Sequence, residues 1–263
     1  MKNIFVEGIP GMGKSTLVQK LYTKLPGFHV CREGDYSPVE LAWCTWMTQQ
    51  QYEQALECYA PIRDEIIRNT VKEGEYYIIT YTRIITDIPN FHRDLEEFEI
   101  YNGRRNFAEF EEIVTSRHWN FKGTGHLFEC SFFQNIMEEL ILFQQFGDEE
   151  IVEFYRKLYG GMNQEAFLLI YLYSDKVEEC IRAIKEERVD NQGYEMWYSL
   201  MLKYLIHSPY GERHGCKDFE DLVAHFRHRQ QLELRIIREV IGERGVVLPA
   251  KEWEMEEIIS LLG

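Results

Sequence analysis

Residues 6–17 read Val-Glu-Gly-Ile-Pro-Gly-Met-Gly-Lys-Ser-Thr-Leu, and they constrain the fold more than any other stretch of the chain. Gly8, four residues, then Gly13-Lys14-Ser15 satisfy the pattern G-x-x-x-x-G-K-[ST] without a mismatch. The apolar, β-branched run at 2–7 predicts a buried strand, and Leu17, Val18, Leu21 and Leu25 follow at helical spacing. A strand, a glycine-rich turn and a helix start therefore come in the order this pattern requires. Gly8, Gly11 and Gly13 let the backbone curl until successive N–H groups point at phosphate oxygens. The helix start adds its positive end at the same spot. Lys14 reaches the β- and γ-phosphates, and the Ser15 hydroxyl is a ligand for Mg²⁺. Residues Gly8, Gly11, Met12, Gly13, Lys14, Ser15 and Thr16 are thus the candidate nucleotide cradle, and ATP and Mg²⁺ are the expected cofactors.

Apolar runs at 2–7, 28–32, 126–131, 167–173 and 245–248 alternate with helical patterns. That alternation predicts an α/β fold, a doubly wound five-stranded parallel sheet flanked by helices. Helices are expected at 38–47, 51–73, 106–117, 134–146, 149–159, 176–188, 194–207, 218–241 and 252–262. Segment 76–86, which begins Tyr-Tyr-Ile-Ile, has the composition of a strand. Residues 88–125 lack a clear sheet strand and are expected to be an insertion within one domain spanning 1–263; Asn102-Gly103 marks a turn inside it.

Composition narrows the partners. A net charge of −15 with no long basic stretch disfavours nucleic acid. No apolar run approaches the roughly 18 residues of a membrane-crossing helix, so no membrane partner is expected. The phosphate loop follows the first strand at once, without a leader, and the six cysteines include no CxxC pair. Both features point to a reduced, cytoplasmic protein. His214, Cys216, His225 and His228 lie close in sequence but match no common zinc spacing.

A phosphate loop serves GTPases, ATPases and kinases alike, and the chain carries neither the DxxG nor the NKxD of switch GTPases. The strand His126-Leu127-Phe128-Glu129 ends in a carboxylate at the sheet edge where open α/β folds bind ligands. Glu129 there can hold Mg²⁺ through water or orient Ser15. The loop Glu7-Gly8-Ile9-Pro10-Gly11-Met12-Gly13-Lys14-Ser15-Thr16 resembles that of thymidylate kinases. Arg32-Glu33 is similar to their second-strand motif, and Pro38-Val39 through Trp43-Cys44 is similar to that of deoxynucleoside kinases. Phe128-Glu129-Cys130-Ser131 and Tyr171-Leu172 through Arg182 and Arg188 resemble later motifs of the same superfamily.

The resemblance implies γ-phosphoryl transfer from ATP to a small-molecule acceptor, first of all a nucleoside or nucleotide. It implies Glu33 as general base, with Asp35 and Glu40 as rivals, and Arg83 on an acceptor-binding helix at 76–86. Arg182 and Arg188, with Lys185, would belong to a lid at 182–194 that stabilises transition-state charge. Trp43 and Trp46, three apart on the expected helix at 38–47, would either stack on an acceptor ring or join the core. The chain also departs from that pattern. Pro10 replaces an acceptor-binding Asp, Cys130 replaces a phosphate-binding Arg, and Asn135 stands near the place of an Asp. These departures keep open a different acceptor, such as an antibiotic or a sugar, and a nucleotide-binding regulator with little turnover. A second copy of the chain, in a homodimer, is the remaining partner left open.

Overall fold

Every residue of the first strand is buried, as a central strand of a parallel sheet requires. The computed structural model describes residues 1–188 and 197–260. In chain order its elements begin β1 (Asn3–Glu7), α1 (Lys14–Lys24), β2 (His29–Cys31), β3 (Met47–Thr48), α2 (Gln49–Cys58), α3 (Arg63–Arg68), β4 (Thr70–Glu73) and β5 (Tyr76–Ile79). They continue α4 (Phe91–Glu96), α5 (Phe107–Asn120), β6 (His126–Glu129), α6 (Gln134–Glu138), α7 (Asp148–Gly160) and β7 (Phe167–Tyr173). The last are α8 (Val177–Glu187), α9 (Trp197–His207), α10 (Pro209–His214), α11 (Phe219–Ile236), β8 (Gly245–Pro249) and α12 (Met255–Ser260). The chain divides into two compact units, one comprising Met1–Val30 with Lys122–Gly263, the other Cys31–Phe121.

The first unit is built on the expected α/β layer. Five all-parallel strands lie in the order β2-β6-β1-β7-β8, flanked by helices. β1 pairs with β6 on one side, Phe5 opposite Phe128, and with β7 on the other, Phe5 opposite Leu169. The Phe5 ring stacks on Phe128 at 4.7 Å and on Phe167 at 4.8 Å. Each such aromatic pair adds about 0.5–1.5 kcal/mol beyond its buried area. The chain order reverses at β1, so ligands of such a sheet are expected outside its carboxyl end. Helical patterns at 134–146 and 218–241 end in π-helical turns, at Glu139–Phe143 and Ile237–Ile241. The short α10 escaped the periodicity reading because six residues show no period. Its start is nonetheless written locally: the Ser208 hydroxyl accepts from Gly211 N, and Pro209 occupies the first turn.

The second unit departs from the sequence expectations. A three-stranded sheet, β3-β5-β4, runs antiparallel. The helix expected at 51–73 breaks at Pro61, which lacks an N–H and disfavours helical backbone before it. A 3₁₀ turn at Ala60–Ile62 and α3 follow, and the segment finishes as a strand, β4. Gly74, just past the end of the helix expected at 51–73, opens a two-residue hairpin turn with φ +56°. The segment at 76–86 is therefore β5 followed by a 3₁₀ turn at Tyr81–Arg83, with no helix. Its β-branched and aromatic residues outweigh the resemblance: Tyr76 stacks on Trp46 and Tyr77 on Tyr52. The helix expected at 38–47 is also absent. Ser37 Oγ accepts from the amides of Val39 and Glu40, and Glu40 Oε2 accepts from Ala42 N, so side chains take the bonds a helix would need. Asn106 caps α5 as its sequence position predicts, its side chain accepting from Glu109 N at 3.0 Å. The core of this unit gathers Met47, Leu56, Tyr59, Ile66, Ile79, Ile84 and Phe91.

Candidate functional site

In the first unit, β1 hands over to the loop at Glu7. Gly8 and Gly11 have φ of +138° and +84°, and a Cβ on Gly8 would lie 2.4 Å from Leu172 O. A Cβ on Gly11 would lie 2.6 Å from Ile184 Cδ1, because α8 packs on the loop there. Only glycine fits either position. Gly13, at φ +87°, is the residue before α1, so the first N–H groups of that eleven-residue helix lack helical partners and face out of its start. Met12 is buried and anchors the loop from below, while Ser15 and Thr16 are exposed in the first helical turn.

Lys14 is buried and its Nζ donates to Gly8 O at 2.6 Å and Ile9 O at 3.2 Å, which holds the ammonium inside the loop's curve. The Ser15 hydroxyl donates to Glu129 Oε1. Glu129 ends β6 next to β1, at the reversal point of the sheet. Cys130, buried at φ +56°, follows it and brings no cation. The structure thus places Lys14, Ser15 and Glu129 in one cluster. That hydroxyl–carboxylate pair is a hard-oxygen set of the kind Mg²⁺ takes.

Beneath the loop lies a buried charge network that the sequence did not reveal. Glu7 Oε1 accepts from Phe132 N at 2.6 Å, while Oε2 is buried without a hydrogen bond. Burial pushes the Glu7 carboxyl up to about 7 against the Phe132 amide, with nearby Glu233 adding to the rise and Lys14 opposing it. Arg229, fully buried on α11, binds Glu138 Oε1 at 2.6 Å and Glu233 Oε1 at 2.7 Å. His225 meets Glu138 Oε2 at 2.8 Å, and the Tyr171 hydroxyl donates to Glu233 at 2.5 Å. Burial alone would raise the Glu138 carboxyl; the charges of His225 and Arg229 outweigh it and hold it low, near 2. His228 meets Asp148 at 2.9 Å, so His225 and His228 each face a carboxylate. Among the described residues no group of three or more His, Cys, Asp or Glu is placed to hold a metal.

The expected lid cations lie on and after α8. Arg182 is exposed, pairs with Glu178 at 2.9 Å and stands 4.8 Å over the Phe219 ring. Lys185 stands 4.3 Å over Tyr198. Arg188 is exposed at the end of α8. Residues 189–194 of the expected lid lie outside the described residues, as do the first residues of the helix expected at 194–207 and the last of that at 252–262.

In the second unit, the turn carrying Glu33 and Asp35 meets Trp43 through Glu33 and Arg83 through Asp35. Gly34, at φ +82°, turns the chain, and Asp35 Oδ2 closes the turn by accepting from Arg32 N at 2.9 Å. The other Asp35 oxygen pairs with Arg83, so this rival base is engaged by a cation. Arg83 sits on a 3₁₀ turn rather than the expected helix. Trp43 Nε1 donates to Glu33 Oε1 at 3.0 Å. Trp43 has φ +61° and is 44% exposed, and Trp46 stacks on Tyr76, so the two share no helical face. A bulky residue in the left-handed region costs of order 1–3 kcal/mol. Arg117 is buried and bonds Glu73 and the Ser37 carbonyl; Tyr36 donates to the same Glu73. Burial pushes Glu40 up to about 7, opposed by hydrogen bonds from Tyr101 and Ala42 N. Burial likewise pushes Glu99 up to about 8, against a hydrogen bond from Tyr81.

No protein-family model matches this chain, and a search of curated proteins finds no significant match either. Among the described residues no helix is long and apolar enough to cross a membrane.

Proposed function

We propose that this chain is an ATP- and Mg²⁺-dependent small-molecule kinase with a P-loop, nucleotide kinase-like fold, and that a nucleoside or nucleotide is the first acceptor class to test. The observation that carries this reading is the cluster of Lys14, Ser15 and Glu129 around a loop whose Gly8 and Gly11 admit no side chain. ATP with Mg²⁺, when bound, supplies the transferable phosphoryl group and neutralises charge on its oxygens. The loop amides of residues 8–15 and the Lys14 ammonium bind phosphate. Ser15 and Glu129 hold the metal, and buried Glu7 keeps the strand end tied to the Phe132 amide. Glu33 takes the proton of the acceptor hydroxyl, with Trp43 bonded to it and Arg83 paired with the neighbouring Asp35.

The test is ADP release across a panel of nucleosides, nucleoside monophosphates, sugars and antibiotics. One acceptor should stimulate release, and Glu33→Gln should abolish that stimulation while ATP binding survives. The antibiotic or sugar alternative is decided by the same panel. A second reading, a nucleotide-binding regulator with little turnover, is favoured by Cys130 and by the pairing of Arg83 and Arg182 with carboxylates. Tight nucleotide binding without any acceptor-stimulated release would establish it.

A further inference from the structure

Trp43 combines three features that packing does not account for together. Its backbone is left-handed, its side chain is 44% exposed, and its indole N–H is spent on the carboxylate of Glu33. A strained aromatic residue normally earns its place by filling a core, and Trp43 does so only in part. The local chain is arranged to produce this conformation. Buried Glu40 pins Ala42 N at 2.7 Å, and Cys44 N closes onto Leu41 O at 3.1 Å, so the turn at 41–44 is clamped from both ends. On the facing loop Gly34 and the Asp35–Arg32 bond form a second clamped turn, which presents Glu33. The indole spans the two turns. Strain held in place by its surroundings is a mark of a functional site when an outlier of this kind is seen.

We propose that Trp43 is the positioning residue of Glu33: its indole N–H fixes the orientation of the carboxylate so that it meets the acceptor hydroxyl in line for proton transfer. The inference rests on the kinase reading and on Glu33 as its base. It differs from a stacking role for Trp43, because a stacking residue acts through acceptor affinity whereas a positioning residue acts through turnover. The N–H is the part that matters, and the ring face is secondary.

The experiment compares Trp43→Phe, which keeps an aromatic ring and removes the donor, with Glu33→Gln and the parent chain. Turnover is measured with whichever panel member stimulates ADP release. Trp43→Phe should lower kcat about tenfold, leave the acceptor KM within about twofold and melt within a few degrees of the parent, while Glu33→Gln loses at least about a hundredfold. The chain has five tryptophans, so the Trp43 indole proton resonance is identified by its absence in Trp43→Phe. That resonance should move in Glu33→Gln. An unchanged kcat in Trp43→Phe, a loss confined to KM, or an indole signal indifferent to Glu33→Gln overturns the positioning role and leaves the kinase reading standing. Full activity in Glu33→Gln removes the base assignment and the inference together, with the kinase intact. No stimulation by any acceptor overturns the kinase reading, and the inference with it.

Discussion

The two units fix their candidate functional groups by different means. In the first, backbone does the work: a strand end, three glycines of positive φ and a helix start define the loop and place Lys14 and Ser15, with Glu129 alone coming from another strand end. In the second, side chains hold the backbone. Ser37, Glu40, Asp35 and Arg117 each bond main-chain groups, and Glu33 and Trp43 are presented by the loops they clamp. A backbone-defined site is written in a short contiguous pattern. A side-chain-clamped site is written in pairs of residues up to 80 positions apart, such as Ser37 and Arg117. The first should tolerate almost no change at its glycines and wide change around them; the second should yield gradually, one clamp at a time.

The sharpest way to break the contrast lies under the loop at residues 8–15. Arg229→Leu leaves Glu138 and Glu233 buried without their shared cation and should cost about 3–5 kcal/mol, read by thermal melting. Little loss would mean that the network beneath the loop does not support it. Next come matched glycine substitutions. Gly8→Ala meets Leu172 O and a strained φ at once and should cost about 3 kcal/mol or more, with nucleotide binding lost. Gly34→Ala has only the φ penalty, since its nearest neighbour Thr82 Oγ1 would stand 3.5 Å away, and should cost about 1 kcal/mol. Equal losses at the two positions would erase the distinction.

How much of this was legible in the sequence follows the same division. The five parallel strands and the loop between β1 and α1 were readable because each is a local run with its own period or pattern. The start of α5 at Asn106 was readable for the same reason. The unit at 31–121 was misread where two signals competed. Pro61 interrupts an apolar period that otherwise reads as one helix, and the strand composition of Tyr76–Ile79 competes with a resemblance that implies a helix there. The left-handed Trp43, the Arg117–Glu73 pair and the Glu7–Arg229 network depend on residues far apart in the chain, and no local pattern announces them. The Pro61 break and the Gly74 turn had visible signals; the network had none.

A pH experiment sharpens the comparison in the second unit. Burial raises the Glu40 carboxyl from its ordinary 4.5 to about 7, so the folded chain holds this proton longer than the unfolded chain. The stability this proton lends is full below about pH 4.5 and is lost as pH rises through about 7. Glu40→Gln, neutral at every pH, should therefore leave melting unchanged at pH 5 and raise stability at pH 8 by about 2–3 kcal/mol, or several degrees. Destabilisation at pH 8 would show that ionised Glu40 is needed by the loop. The smallest expected effect is at the cap of α5: Asn106→Ala should cost about 1 kcal/mol and leave nucleotide binding untouched.

The central claim is that the loop at residues 8–15, with Glu129, holds a nucleoside triphosphate. Calorimetric titration of ATP with Mg²⁺ into the parent chain and into Lys14→Ala tests it most directly. One molecule should bind per chain, more tightly with Mg²⁺ than without, and Lys14→Ala should lose about ten- to a hundredfold in affinity, the worth of a charge-assisted hydrogen bond, while still unfolding cooperatively. No binding of ATP to the folded parent, or binding indifferent to Lys14→Ala, would contradict it.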